Sequence, residues 1–242
     1  MSVLTILPIP TNSKPEPIHI NENLPHGSAI LVAPSNSGKT VWIVNALTRM
    51  SFGIAAHYQV IFVYSPTLDM DQNWDFVRDL EPRLVKRGRK KHKTAQIILD
   101  SQFEVAKIEA ILDAQEQIPT AQRKKVLIVC DDCADLLSNN KILHRLFFRG
   151  RHAKTYCWLS VQSVKSVPRP IRLNAPYWAI WKVTQNELAV LVSEIAVEEP
   201  VQFKAIFKEA TDSKYSFLTI NTKASYDKRY TSSFRPLNLL QQ

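Results

Sequence analysis

The chain has 242 residues, of which 45% are hydrophobic, and a formal net charge of +9. This length suits one large domain with small appendages, and the composition is ordinary for a soluble globular protein. No apolar run approaches the roughly 20 residues of a membrane-spanning helix, and Pro8 and Pro10 interrupt an N-terminus without a basic leader, so we predict neither a membrane span nor a signal peptide.

Alternating strand and helix patterns predict an α/β protein with a mostly parallel central sheet flanked by helices. Residues 1–25 are rich in proline and predict an extended arm, whereas residues 26–242 predict one domain. The predicted strands are Ala29–Val32, Gln59–Tyr64, Gln96–Leu99, Lys125–Cys130, Tyr156–Val161 and Tyr177–Lys182. Helices are predicted from the first loop to about Met50, around Val105–Leu112, and over Lys141–Arg149, Glu187–Ala196 and Val201–Ala210. Two late strands, Tyr215–Ile220 and one near Tyr226–Thr231, predict a hairpin at a sheet edge.

The loop between the first strand and the first helix has the pattern of a phosphate-binding P-loop. It reads Ala33-Pro34-Ser35-Asn36-Ser37-Gly38-Lys39-Thr40. In such a loop the backbone N–H groups and the helix N-terminus bind phosphates, the lysine reaches the β- and γ-phosphates, and the threonine hydroxyl holds Mg²⁺. Ala33 stands where glycine is usual, which requires only that its φ stays negative. The sequence therefore predicts binding of ATP or GTP.

Two acids, Asp131 and Asp132, directly follow the apolar run Val126–Cys130. Ligands of a parallel α/β sheet lie at the carboxyl ends of its strands, so this pattern predicts a Walker B strand beside the P-loop. We expect Asp131 to hold Mg²⁺ and Asp132 to orient or deprotonate the attacking water.

Gln162 closes the next predicted strand, and it is expected to face the γ-phosphate if that strand neighbours the Walker B strand. Four arginines surround the same strand, and one of them is a candidate arginine finger for a neighbouring subunit. They are Arg149, Arg151, Arg169 and Arg172.

One short segment carries most of the net charge. It holds seven basic residues and no acid, and without it the net charge falls from +9 to +2. We expect a solvated loop that is either an import signal or a DNA contact, and the P-loop favours DNA. The basic residues are Arg83, Lys86, Arg87, Arg89, Lys90, Lys91 and Lys93.

The three cysteines, Cys130, Cys133 and Cys157, cannot all pair with one another, which favours a reducing compartment. Cys130 and Cys133 have CxxC spacing, but no second cysteine pair accompanies them, so zinc or dithiol chemistry is not favoured. Tyr177, Trp178 and Trp181 lie in a predicted strand and are expected in the core.

The order of these motifs resembles the genome-packaging ATPases of large double-stranded DNA viruses, which belong to the FtsK–HerA superfamily. The resemblance rests on motifs spread over most of the chain. They are Ala33–Thr40, Ser65-Pro66-Thr67 with Trp74, Val126–Asp132, Gly150-Arg151-His152, Val161-Gln162, Pro168, and Ile171-Arg172 with Asn174.

The resemblance implies a RecA-like core, a pentameric or hexameric ring around double-stranded DNA, and ATP hydrolysis with Mg²⁺ at subunit interfaces. It implies capsid or portal vertex proteins as partners, in the host cytoplasm or a viral factory and transiently at the virion vertex, without secretion. In family terms Asp131 is the Mg²⁺ acid, Asp132 the catalytic acid and Gln162 the sensor, while Arg151 and Arg172 act in trans or in sensing.

Two other functions are also compatible with the sequence. Ala33 is compatible with a non-catalytic nucleotide-binding protein that binds DNA or supports assembly, and a DNA helicase of the same superfamily carries similar motifs. A GTPase switch is disfavoured because no Asn-Lys-x-Asp motif occurs in the sequence.

Overall fold

The computed structural model describes residues 27–49, 54–80, 84–87, 90–133, 140–196, 199–233 and 235–236. Eleven strands lie within these ranges: β1 Ala29–Val32, β2 Val60–Tyr64, β3 Leu84–Arg87, β4 Lys90–Lys93, β5 Gln96–Asp100, β6 Val126–Asp131, β7 Thr155–Val161, β8 Tyr177–Ile180, β9 Leu218–Asn221, β10 Tyr230–Ser232 and β11 Arg235–Pro236. Nine of them form one sheet in the order β11-β10-β9-β8-β1-β7-β6-β2-β5. The predicted arm, residues 1–25, lies outside the described residues.

The central part of the sheet is parallel. Strands β8, β1, β7, β6, β2 and β5 pair with the same direction, as alternating strands and helices predict. At one edge β9 and β10 add antiparallel pairs, which confirms the late hairpin. Its strands are shorter than predicted, because 215–217 precede β9 and Tyr226–Arg229 forms a helical turn.

Both faces of the parallel strands are buried. In β1, Ile30 and Val32 pack into one hydrophobic cluster, whereas Ala29 and Leu31 pack into the cluster on the other face. Successive strand residues point to opposite faces, so a strand covered on both sides reads as a continuous apolar run. The buried pattern of β1 and β6 therefore places these strands in the middle of the protein.

Helices cover this sheet. The first four are α1 Lys39–Thr48, α2 Ile54–His57, α3 Asp75–Arg78 and α4 Val105–Gln117. The later helices are Asn140–His144, which continues as a π-helical turn over Arg145–Arg149, then Arg169–Asn174, Gln185–Glu194 and Pro200–Ala210. In the described part of the chain, none of the helices combines the length and the apolar composition that crossing a bilayer requires.

The basic segment differs from the loop that the sequence predicts. It forms an antiparallel hairpin of β3 and β4, which is a two-stranded sheet separate from the main one. The high density of basic residues in this segment did not by itself predict that β3 and β4 pair.

Candidate nucleotide-binding site

The predicted site residues meet at the carboxyl ends of three neighbouring strands. β7 lies between β1 and β6, with Val32 opposite Val161 and Asp131 opposite Ser160. The loop after β1, the acids at the end of β6 and the residue after β7 therefore emerge at one edge of the sheet. Gln162 is thus next to β6, the predicted Walker B strand, and this adjacency is the condition under which we expect its side chain to face the γ-phosphate.

The loop after β1 turns into α1 through two residues with positive φ. Asn36 has φ 61° and Gly38 has φ 94°, conformations that asparagine and glycine adopt more readily than other residues. Ala33 is outside the left-handed region, and its N–H donates to the Val161 carbonyl oxygen at 3.1 Å. The alanine in place of glycine is therefore accommodated without strain.

Lys39 is the first residue of α1, and its side chain is 5% exposed. Its Nζ donates to the carbonyl oxygen of Ala33 at 2.7 Å and lies 3.8 Å from Oδ1 of Asp132. Burial lowers the pKa of Lys39, while Asp132 and Asp131 oppose that shift. The ammonium group is thus held over the loop, where a phosphate would meet it.

Thr40 and Asp131 form the second contact of the site. The Thr40 hydroxyl donates to Oδ2 of Asp131 at 3.0 Å. Asp131 is 2% exposed, and burial raises its pKa against the opposing effects of the Thr40 hydroxyl and the Lys39 ammonium.

The oxygen atoms of this pair fit a magnesium ion. Oδ1 of Asp131 is buried and has no hydrogen-bond partner among the described residues, and Mg²⁺ prefers carboxylate and hydroxyl oxygens together with substrate phosphates. Thr40 and Asp131 are therefore the two residues suited to hold Mg²⁺.

Asp132 differs from Asp131 in exposure and in conformation. It is 35% exposed, has φ 53°, and accepts a hydrogen bond from Nε2 of Gln162 at 3.5 Å. A carboxylate that is open to water and oriented by an amide is suited to orient or deprotonate a water molecule. The structure thus brings Asp132, Gln162 and Lys39 together.

The chain after Gln162 is fixed by a buried acid from the helix Gln185–Glu194. Glu187 accepts from the backbone N–H of Val164 at 3.0 Å through Oε1, and its own N–H donates to the Thr184 hydroxyl at 3.4 Å. This contact ties the position of Gln162 to the next helix. Glu187 was not predicted from the sequence, where its signal is its place three residues after a helix-capping threonine.

Arg151 lies at the opposite end of β7, in the turn before Thr155. A seven-residue strand spans about 23 Å, so Arg151 does not reach the nucleotide site of its own chain. It is exposed, and among the described residues its side chain forms no ion pair with an acid; its Nε contacts Nε2 of His152 at 3.3 Å. A trans role for Arg151 stays a prediction.

The glycine of the Gly-Arg-His motif, Gly150, has a steric reason. A β-carbon at Gly150 would clash with the carbonyl oxygens of Leu146 and Thr155. Glycine is therefore required where the π-helical turn approaches β7 most closely, and the contact fixes the backbone from which Arg151 projects.

The Arg172 guanidinium is held by an ion pair with Glu194. Its Nε and Nη2 donate to the two carboxylate oxygens of Glu194 at 2.6 and 2.8 Å, and its Nη1 donates to the Val167 carbonyl oxygen at 2.5 Å. Hydrogen bonding to Arg172 lowers the pKa of Glu194. This geometry favours a structural role, and the predicted role in trans or in sensing has no support from these contacts.

The cysteines are buried structural residues. Burial raises the pKa of the Cys130 thiol, and Cys133 Sγ lies 3.4 Å from the carbonyl oxygen of Tyr64. Among the described residues, no three His, Cys, Asp or Glu side chains are grouped suitably for a metal ion. Trp178 and Trp181 are buried, as predicted.

Five of the seven predicted DNA-binding residues lie in the β3–β4 hairpin. Arg83 and Arg89 lie outside the described residues. In the hairpin, Lys86 pairs in register with Lys91 and Arg87 with Lys90. Lys93, at the end of β4, is exposed.

Comparison with known proteins agrees with this architecture. The model of the family described as Poxvirus A32 protein matches residues 26–233, whereas no curated protein sequence gives a significant match. The genome packaging NTPase B204 of Sulfolobus turreted icosahedral virus 2, solved with sulfate, is 16% identical with a TM-score of 0.56 over 83% of this chain and 93% of that chain. With ATP-gammaS, B204 is 14% identical with a TM-score of 0.55 over 87% and 98%.

A bacterial protein has the same fold. EssC (ATPases 2 and 3) from Geobacillus thermodenitrificans is 11% identical with a TM-score of 0.54, over 95% of this chain and 48% of that chain. The TM-scores establish a shared fold, that of P-loop NTPases. Together with the family match over most of the chain, they confirm the resemblance to viral packaging ATPases inferred from the motifs, and the chain belongs to the Poxvirus A32 protein family.

Proposed function

We propose that this protein is an ATPase that moves double-stranded DNA and packages a viral genome into a preformed capsid. The observation that carries the proposal is the cluster of Lys39, Thr40, Asp131, Asp132 and Gln162 at one edge of the sheet. Membership of the A32 family supports it, as do structures of B204, described as a genome packaging NTPase and solved with ATP-gammaS and AMPPCP.

Each residue of the cluster has a distinct part in hydrolysis. The loop N–H groups and the N-terminus of α1 bind the phosphates, and Lys39 neutralises the β- and γ-phosphates. Thr40 and Asp131 hold Mg²⁺, which when bound neutralises charge on the phosphate oxygens. Asp132 takes a proton from water as it attacks the γ-phosphorus and the bond to the β,γ-bridging oxygen breaks. Gln162 orients Asp132 and senses the γ-phosphate.

Hydrolysis in this proposal is completed between subunits of a pentameric or hexameric ring. In this proposal Arg151 serves a neighbouring chain; its exposure and its position at the far end of β7 from its own site support that role. An arginine supplied in trans stabilises the charge of the phosphoryl transition state. The other partners are capsid or portal vertex proteins, in the host cytoplasm or a viral factory and transiently at the virion vertex.

The β3–β4 hairpin is the proposed DNA contact. In the register of β3 and β4, Lys86 is opposite Lys91 and Arg87 is opposite Lys90, so four basic residues occupy neighbouring positions of one hairpin. Each basic residue that neutralises a DNA phosphate releases a counterion. The hairpin is therefore suited to binding a polyanion without reading its sequence.

The test of the function is steady-state ATP hydrolysis with and without linear double-stranded DNA, using Lys39→Ala as the control. We expect DNA to stimulate hydrolysis and Lys39→Ala to abolish it while the fold persists. Equal rates for the variant and the wild type would contradict the proposal. Nucleotide binding without turnover, in protein that assembles, would favour a non-catalytic assembly role, and strand separation on forked DNA would indicate a helicase.

The test of the DNA contact is the salt dependence of DNA binding when Lys86, Arg87, Lys90 and Lys91 are replaced by glutamine. The slope of log affinity against log salt is expected to decrease by about 0.9 for each DNA phosphate that the variant no longer neutralises. A matched variant removes four exposed lysines elsewhere and changes the net charge equally: Lys141, Lys204, Lys208 and Lys223. Equal slopes for the two variants would assign the hairpin to solubility or localisation.

A further inference from the structure

An exposed aromatic ring lies against the phosphate-binding loop. A β-carbon built on Gly38 would be 3.6 Å from Cδ1 of Tyr215, so the tyrosine ring packs directly beside the residue that precedes Lys39. Tyr215 is nevertheless 58% exposed. A large aromatic surface open to solvent beside a phosphate site is available to a ligand.

The backbone at Tyr215 adopts a conformation that tyrosine rarely takes. Its φ is 65°, and it is the third residue of a turn in which the N–H of Ser216 donates to the Ser213 carbonyl oxygen at 3.1 Å. Glycine or asparagine usually occupies such a position. A bulky residue with this φ carries strain of a kind that concentrates at ligand sites.

Neighbouring side chains contact the ring and anchor the turn that carries it. Nζ of Lys214 lies 4.9 Å from the centre of the Tyr215 ring, a distance typical of a cation–π contact. Two residues on, Phe217 is buried and its ring lies 4.7 Å from that of Trp181, which directly follows β8. The turn is thus anchored to the same sheet edge as the loop after β1.

We propose that Tyr215 is the stacking platform for the nucleotide base, with Lys214 on the opposite face of the ring. This inference rests on the proposed function, because it requires a nucleoside triphosphate on the loop. The phosphates lie over the loop N–H groups, and the nucleoside then extends past the loop toward the flanking ring. Aromatic stacking accepts any base because each has a π-face, so Tyr215 contributes affinity and orientation rather than base selection.

The test compares ATP with inorganic tripolyphosphate, which has the phosphates but no base. Dissociation constants are measured by calorimetry for the wild type, Tyr215→Asn and Tyr215→Phe. Asparagine removes the ring but tolerates positive φ, so loss of binding is not caused by backbone strain. We expect Tyr215→Asn to weaken ATP binding about tenfold or more and tripolyphosphate binding less than twofold, and Tyr215→Phe to match the wild type.

Two controls separate the possible failures. Phe148→Ala removes another exposed aromatic ring and should leave both constants unchanged, whereas Lys39→Ala should weaken both ligands. If Tyr215→Asn binds ATP as tightly as the wild type, or binds ATP and tripolyphosphate equally more weakly, the stacking role is wrong. The proposal that the protein binds a nucleotide would be unaffected by either result. A wild type that binds neither ligand would overturn the proposed function and this inference together.

Discussion

The two ends of β7 carry polar residues in opposite situations. At its carboxyl end Gln162 contacts Asp132, which is near Lys39, so the polar groups there satisfy one another within one chain. At its amino end Arg151 is exposed and forms no ion pair with an acid among the described residues. From this contrast we propose that one chain suffices for nucleotide binding and that the amino end supplies a cation to a second chain.

The largest effect is expected for Arg151→Ala. Removing a finger that acts in trans should lower the DNA-stimulated ATPase rate by about 10³-fold or more and leave ATP affinity unchanged, because the residue is remote from its own site. Arg149→Ala, which removes another exposed arginine near that end of β7, is the matched control and should retain most activity.

Mixing two inactive variants sharpens this comparison. Arg151→Ala subunits keep a complete nucleotide site, and Lys39→Ala subunits keep the arginine, so mixed rings should regain part of the activity. An Arg151→Ala protein with reduced ATP affinity, or mixed rings without any recovery, would indicate that the residue acts through its own chain.

The carboxyl end of the sheet was predictable for a physical reason. The carboxyl ends of parallel strands lie at one edge of the sheet. The loop that leads to Lys39 and the acids that follow Val126–Cys130 both come after such strands, so the sequence predicted that they lie close together. The ion pair of Arg172 was not predictable, because its partner Glu194 is 22 residues away and lies on another helix. Tyr215 was assigned to a strand, since an aromatic before an apolar run gives no sign of a positive φ.

A smaller effect is expected for Arg172→Gln. The variant leaves Glu194, which is 10% exposed, without its bidentate partner, and breaking a buried pair is destabilising. We expect the free energy of unfolding in urea to fall by about 3 kcal/mol at pH 7, with the ATPase rate per folded molecule retained. Arg169→Gln removes the exposed partner of the same carboxylate and should change stability by less than about 1 kcal/mol.

The pH dependence of that difference follows from Glu194. Its folded-state pKa is lowered, so its ionised form contributes stability above the unfolded pKa of about 4.3, and this contribution is lost as the pH falls through the folded pKa. The difference in the free energy of unfolding between the wild type and Arg172→Gln should therefore become smaller at acidic pH. Normal stability combined with lost turnover would instead support the sensing role.

The smallest effect on the free protein is expected for Asp131→Asn. Burial raises the folded pKa of Asp131, so its ionised form weakens the fold at neutral pH, and this penalty is relieved as the pH falls through the raised pKa. Without nucleotide or Mg²⁺, the variant should therefore have a slightly higher Tm than the wild type at pH 7, and the difference should shrink in acid.

With Mg²⁺ and ATP added, the wild type should have a higher Tm than Asp131→Asn. Ligands that bind the folded state raise Tm, and the variant loses a carboxylate suited to the metal, so its shift should be smaller than that of the wild type. Asp132→Asn is the matched control: it should keep most of the shift and lose about 10²- to 10⁴-fold in turnover. A lower Tm for free Asp131→Asn would mean that the buried carboxylate stabilises the fold, which would contradict this prediction.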